Sequence, residues 1–125
     1  MAKYANDDVM DGALGVVAQG NILVVCNAQP TTRTEAITTY ALADVALTPG
    51  DGNGDFTIAD GTPNGRQLTI EAQSSFIVDT SGSATHIAIC DGARLLYVTT
   101  CTTQALTAGN TVSTPAWKIR IADPS

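Results

Sequence analysis

The chain has 125 residues, enough for one domain that hides roughly two-thirds of its unfolded surface without a metal or a disulfide. Hydrophobic residues make up 44% of it and charged residues 14%, well below the ~25% typical of soluble proteins. The net charge of −6, with six Lys and Arg scattered singly, excludes a protein that tracks nucleic-acid phosphates. We therefore expect a single domain over residues 1–125 and no nucleic-acid partner.

The N-terminal region predicts neither a signal peptide nor a membrane segment. Residues 1–11 carry three acidic side chains and no apolar core run. The longest apolar run, Ile22–Cys26, is too short to span a bilayer. We therefore expect the chain to be made in a cytoplasm, to stay soluble and to have no membrane partner.

The first predicted element is a short helix that ends near Gly20. Asn6 and the two aspartates after it supply capping oxygens and acidic charge for its start. Gly12 and Gly15 each cost up to ~1 kcal/mol relative to Ala, so the helix must be stabilised by packing. Its apolar residues recur at helical spacing: Val9, Met10, Ala13, Leu14 and Val17.

Strands are predicted next, beginning with an interior strand over residues 22–27, which is apolar on both faces. Residues 34–43 are ambiguous, because their first half can begin a helical turn while Thr38, Thr39 and Tyr40 prefer a strand. Residues 44–47 form a short predicted strand.

Residues 49–65 read as a long surface loop, rich in Gly, Asp, Asn and Pro, with room for a brief strand over residues 55–58. Asp51, Asn53 and Asp55 match the first ligand positions of a calcium-binding loop. The match fails at two later positions, since Phe56 stands where the motif needs Gly and Thr62 where it needs Glu. Turn formation explains the same residues, so we expect no metal site.

Residues 65–100 predict a β-meander, in which residues 84–90 and 93–100 form a hairpin about an Asp-Gly turn. With Cys90 opposite Ala93, His86 pairs with Tyr97, and both faces of the hairpin are partly apolar. One predicted face carries Thr85, Ile87, Ile89, Leu96 and Val98, and the other carries Ala84, His86, Ala88, Leu95 and Tyr97. Either another layer of this chain or another protein must then cover the second face.

The C-terminal stretch, residues 111–121, predicts one further strand with Trp117, Ile119 and Ile121 directed inward. Pro115 cannot donate a ladder hydrogen bond, so this strand must begin at an edge or a bulge. The predicted fold class is mainly β: a small antiparallel β-sandwich or barrel-like domain with a short N-terminal helix.

The sequence holds no recognisable catalytic, cofactor or metal constellation. Cys26, Cys90 and Cys101 are an odd number without C-x-x-C spacing, so buried thiols or intermolecular disulfides remain as the alternatives. His86 lies four residues before Cys90, about 13 Å along a strand, which is too far for a thiol–imidazole pair. We expect a protein that is not an enzyme and binds no cofactor.

Several stretches together resemble small virion structural proteins of tailed bacteriophages. The resemblance covers most of the chain, and its motifs concern packing and turns rather than catalysis. They are residues 25–30 (VCNAQP), 38–43 (TTYALA), 65–69 (GRQLT), 84–88 (ATHIA), 95–101 (LLYVTTC), 106–112 (LTAGNTV) and 115–121 (PAWKIRI).

The resemblance implies a capsid decoration or cement protein on the exterior of the virion, with the major capsid protein and further copies of itself as partners. A homotrimer is implied by the threefold positions that such proteins commonly occupy. The charge-poor composition independently suits a subunit that packs against neighbours, because few ions then need desolvation. We expect the interface at Leu95, Tyr97 and His86, on the face of the hairpin that the core leaves uncovered.

Two other hypotheses about the function remain open. The first is a tail or neck component of the virion. The second is a host-surface or carbohydrate-binding module, which would need clustered exposed aromatic side chains.

Overall fold

The computed structural model describes residues 6–61 and 64–122, which fold as a mainly β domain with one short N-terminal helix. All paired strands run antiparallel. The elements are α1 (Asp7–Val17), β1 (Ile22–Cys26), a π-helical segment (Glu35–Thr39), β2 (Ala41–Ala46), β3 (Phe56–Asp60), β4 (Arg66–Ile70), β5 (Gln73–Ile77), β6 (Gly82–Cys90), β7 (Leu95–Leu106), β8 (Thr111–Thr114) and β9 (Trp117–Ile121).

Helix α1 forms as predicted and packs against the sheet that contains β3 and β4. Its N-cap is Asn6, whose side chain accepts a hydrogen bond from the Asp8 amide at 2.7 Å. The Arg66 guanidinium donates to Asp11 in the helix at 2.7 Å and to Asp60 at 2.7 Å, which ties α1 to β4. The buried side of the helix carries Met10, Leu14 and Val17.

The described strands form three sheets that share one buried core. They are a four-stranded sheet in the order β2-β1-β6-β7, a three-stranded sheet in the order β3-β4-β9 and the two-stranded sheet β5-β8. The mainly β fold class is confirmed, and the strands described do not close into a barrel. We call the buried cluster that these sheets share the main core, and its largest fully buried side chains include Phe56, Leu14, Leu23, Leu42, Leu68, Ile70 and Ile89.

The π-helical segment covers part of the outer face of the four-stranded sheet. Ala36 in this segment is fully buried, and Ile37 and Tyr40 pack beside it on the sheet. The second cluster of buried residues, which we name the outer cluster, consists of Val24, Cys26, Ala36, Ala88 and Cys90. This chain itself therefore supplies part of the cover that the second apolar face required.

The β6-β7 hairpin is present, but its register differs from the prediction. The Asp91 side chain accepts hydrogen bonds from the amides of Ala93 (2.7 Å) and Arg94 (2.6 Å), so the turn spans residues 91–94. Cys90 consequently lies opposite Leu95 rather than Ala93. A register shift follows immediately, because Ile89 lies opposite Tyr97, and one extra residue is accommodated in β7.

This shift reverses the faces of the following residues. Tyr97 lies on the main-core side with Ile89, whereas Val98 lies with Ala88 on the side of the outer cluster. His86 is paired with Thr100 and not with Tyr97.

Two further predictions need correction, and one ambiguity is resolved. The meander is wrong, because β4, β5 and β6 belong to three different sheets. Residues 34–43, which the sequence left ambiguous, hold the π-helical segment Glu35–Thr39, and the strand that follows begins at Ala41. The predicted C-terminal strand is two strands separated by Pro115 and Ala116, although the inward alternation predicted for β9 is confirmed, with Ile119 buried.

Candidate functional site

A cleft of about 460 Å³ is lined by residues of β1, β6, β7, β8 and β9, and it is the candidate binding site. Its floor is apolar and contains Val25, Ala84 and Ile87, each less than a tenth exposed. One wall is the second half of β7, from Thr99 to Leu106. The opposite wall is formed by residues 112–118, which span the end of β8, the Pro115 break and the start of β9.

Both walls are built from strands at the ends of their sheets. Within the described part of the chain, β7 pairs only with β6, β8 only with β5, and β9 only with β4. Strands of this kind leave one row of backbone N–H and C=O groups without a sheet partner. The lining of the cleft therefore includes edge strands from all three sheets.

Two buried polar atoms in the wall of the cleft have no hydrogen-bond partner among the described residues. They are the Thr114 hydroxyl and the Trp117 indole Nε1. Thr114 is 6% exposed, so water compensates little for the missing bond. An unsatisfied buried polar group costs about 1–3 kcal/mol. Both atoms have almost no accessible surface, so they lie behind the surface of the cleft and not on it.

The electrostatic character of the cleft differs from that of the whole protein. The chain has twelve acidic residues against six Lys and Arg. Of the described residues that line the cleft, Lys118 is the only charged one, and the rest are apolar, hydroxyl-bearing or amide-bearing. The cleft is thus a locally basic, mainly apolar recess in an acidic protein.

The predicted interface residues do not form one surface. Leu95 is half-buried against the outer cluster, and His86 lies on the same face, with its Nδ1 at 2.8 Å from the Thr85 hydroxyl. Tyr97 is on the opposite face, where its ring centroid lies 6.0 Å from that of Trp117. The register shift in β7 separates Tyr97 from the other two.

The three thiols lie in unlike positions. Cys26 and Cys90 are completely buried in the outer cluster, so a disulfide from either to another chain is excluded in this conformation. Cys101 is half-buried and lines the cleft, and it is the thiol of the three that another molecule can approach. Burial raises the pKa of all three, which keeps them in the unreactive thiol form.

Cys26 and His86 are direct neighbours on adjacent strands, a proximity that the spacing in the sequence did not reveal. The geometry does not activate the thiol, because Cys26 Sγ donates to the Ala36 carbonyl at 3.5 Å. Burial, with a smaller contribution from Cys90, raises the pKa of Cys26 to about 12. A catalytic cysteine requires the opposite shift.

Asp51, Asn53 and Asp55 of the calcium-like loop all make side-chain hydrogen bonds within the chain. Asp55 accepts from the Thr48 amide at 2.6 Å, and Asp51 accepts from the Ile58 amide at 2.8 Å. Asn53 donates its side-chain amide to the Pro49 carbonyl at 2.8 Å. Thr62 lies outside the described residues. Across the described ranges no group of His, Cys, Asp or Glu side chains is arranged to hold a metal ion.

An ion that binds the native state raises the melting temperature by mass action. Because we expect this loop not to bind calcium, we expect millimolar calcium to leave the melting temperature unchanged. Differential scanning calorimetry with added calcium and with added chelator measures this directly. A rise in the melting temperature that chelator reverses would show that the loop binds the ion.

Comparison with models of known protein families, with curated proteins and with solved structures finds no match. Neither helical segment in the described portion is long and apolar enough to cross a membrane. The cleft must therefore be interpreted from its own chemistry.

Reasoning from the sequence missed the cleft. Thr114 stands in an alternating Thr-Val-Ser-Thr run that looks solvent-facing, and its burial arises from tertiary packing. The one available signal was Pro115, which interrupts the strand at the centre of this wall.

Proposed function

We propose that the protein is a non-enzymatic structural component of a bacteriophage virion, a decoration or cement protein that binds the outside of the capsid. The observation that carries this proposal is the charge-poor cleft bordered by the strands β7, β8 and β9, each of which has a single sheet neighbour in the described structure. Such strand edges bind other polypeptides by main-chain hydrogen bonds. The resemblance to phage virion proteins supplies the identity of the partner.

The contact surface differs from the one that the sequence indicated. The hairpin face around Leu95 and His86 is partly covered by the π-helical segment, which leaves less of it for a partner. The second half of β7 is more accessible, because Thr100, Thr102, Thr103, Gln104 and Ala105 are all exposed. We therefore place the capsid contact at β7 and the cleft beside it.

An oligomer strengthens this mode of binding. Each strand-edge contact is weak alone, but copies linked as a trimer engage several capsid subunits at once. The effective concentration of the second and third contacts then raises the total affinity without any new interaction. Hydroxyl side chains on the exposed face of β7 suit this role, since their burial requires no desolvation of ions.

A charge introduced on β7 tests the proposal. We expect Thr102→Asp to abolish binding to capsids that were assembled without this protein, because an unpaired carboxylate would be buried at the interface. Thr57→Asp, at an exposed position of β3 in a different sheet, is the matched control and should bind normally. Cosedimentation measures binding, and the rupture temperature of the particles measures reinforcement.

Binding of the wild-type protein to capsids distinguishes the decoration role from a role in the tail or neck of the virion. Wild-type protein that neither sediments with capsids nor raises their rupture temperature would contradict the decoration role. Binding to purified tails or necks under the same conditions would then support the alternative of a tail or neck component.

A further inference from the structure

We propose that Asn53 is a site of spontaneous covalent modification, where attack by the backbone nitrogen of Gly54 converts the side-chain amide into aspartate and isoaspartate. The modification goes beyond the proposed function and does not depend on it. It rests on a difference between the two Asn-Gly pairs of the chain, Asn53-Gly54 and Asn64-Gly65.

The reaction needs only water and a peptide group that can turn towards the asparagine side chain. The Gly54 nitrogen loses its proton to base and forms a bond to Asn53 Cγ, and the side-chain nitrogen leaves as ammonia. Water then opens the cyclic imide at either of its carbonyl carbons, which gives aspartate or isoaspartate. A glycine at the attacking position has no Cβ to hinder the approach.

The peptide group between Asn53 and Gly54 is free to turn. Neither the Asn53 carbonyl nor the Gly54 N–H has a hydrogen-bond partner within the described ranges. Both residues are exposed, and a Cβ built on Gly54 would meet no atom within 4 Å. Asn53 is held by its side-chain bond to the Pro49 carbonyl (2.8 Å) and by a long bond from its own amide to the Gly50 carbonyl (3.4 Å). Neither bond involves the peptide group that must turn.

The second pair is chemically the same but is held in place. The Arg120 guanidinium donates to the Asn64 backbone carbonyl at 2.9 Å and to its side-chain oxygen at 3.1 Å. The Gly65 carbonyl accepts from the Gly61 amide at 2.8 Å, and a Cβ built on Gly65 would collide with the Ile121 carbonyl. Because the Asn64 carbonyl and the Gly65 nitrogen belong to one peptide group, the Arg120 bond fixes the group that would have to turn.

Conversion of Asn53 changes the loop that contains it. A carboxylate cannot donate, so the hydrogen bond to the Pro49 carbonyl is lost and two oxygen atoms face each other instead. Isoaspartate also lengthens the backbone by one carbon, and either product adds a negative charge to a chain whose net charge is −6. We expect the amides of residues 49–55 to exchange hydrogen faster in the converted protein.

Peptide mapping by mass spectrometry, after incubation of the full chain at pH 8, tests the inference. In the native protein Asn53 should be converted at least about tenfold faster than Asn64, because the hydrogen bonds around Asn64 must open first. In urea the two asparagines should be converted at similar rates, since the fold no longer distinguishes them. Chromatography of the peptides separates the aspartate and isoaspartate products.

Substitutions assign the cause of the difference. Asn53→Gln should remove conversion at residue 53, because the longer side chain closes a ring less readily, and should leave the rate at Asn64 unchanged. Arg120→Ala releases the Asn64 carbonyl, so it should raise the rate at Asn64 about tenfold without affecting Asn53. Lys118→Ala is the matched control, since it removes a positive charge from the same strand and should change neither rate.

Three results would overturn the inference. The first is conversion of the native protein at Asn64 as fast as at Asn53, or no conversion at Asn53 while the unfolded chain reacts. The second is the same ratio of rates in urea as in the native protein, which would assign the selectivity to the neighbouring sequence. The third is an unchanged rate at Asn64 in Arg120→Ala, which would show that the Arg120 bond is not the restraint.

Discussion

Replacement of Phe56 by alanine is expected to lower the free energy of unfolding by about 3–5 kcal/mol. Phe56 is 0% exposed and is the largest of the fully buried side chains in the main core. It lies opposite Ile70 in the β3-β4 pair, so its loss leaves a cavity between the sheet and the rest of the core. Small domains are stable by only about 5–15 kcal/mol, and this single change removes a large share.

Urea unfolding followed by circular dichroism measures the effect. Thr57→Ala is the matched control, because Thr57 is the next residue of the same strand and is exposed. We expect it to change the free energy of unfolding by less than about 0.5 kcal/mol. Equal effects of the two substitutions would mean that β3 does not pack in the main core as described.

Alkaline pH is expected to destabilise the protein through Cys26. Burial raises the pKa of this thiol from 9.0 to about 12 in the folded state. Because the folded pKa lies above the unfolded value, the stabilising contribution is complete below pH 9 and is lost as the pH rises towards 12. The total loss is on the order of 4 kcal/mol for a shift of this size.

The free energy of unfolding at pH 8, 10 and 11 tests this dependence. Cys26→Ala removes the titrating group, so its stability should fall less between pH 8 and pH 11 than that of the wild type. Cys101→Ala, at a half-buried site, should keep most of the wild-type slope. A Cys26→Ala slope as steep as the wild-type slope would assign the alkaline loss to other groups.

The elements that sequence reasoning predicted correctly are those whose signal is local. Capping by Asn6 and the spacing of Met10 and Leu14 define α1, and two-sided apolarity identifies β1 as interior. Alternation in β9 gives the correct inward face. Each of these three signals comes from residues that are close together in the sequence.

Predictions that required long-range information failed for identifiable physical reasons. Leu95, Leu96, Tyr97 and Val98 are all apolar, so no polar residue marks which of them faces the core, and the extra residue in β7 is invisible in the pattern. The separation of β4, β5 and β6 into three sheets depends on partners far away in the chain. The cleft arises from those same long-range choices.

The pairing of β9 with β4 has a consequence for the time course of folding. Leu68 and Ile119 lie opposite each other although 51 residues separate them (119 − 68). Closing so long a loop costs entropy before any contact repays it, which slows folding relative to a protein with local contacts. During synthesis Leu68 and Ile70 stay incompletely covered until β9, which ends at residue 121, has left the ribosome and paired with β4. Apolar side chains exposed in this interval favour aggregation, so this is when a chaperone is most useful to the protein.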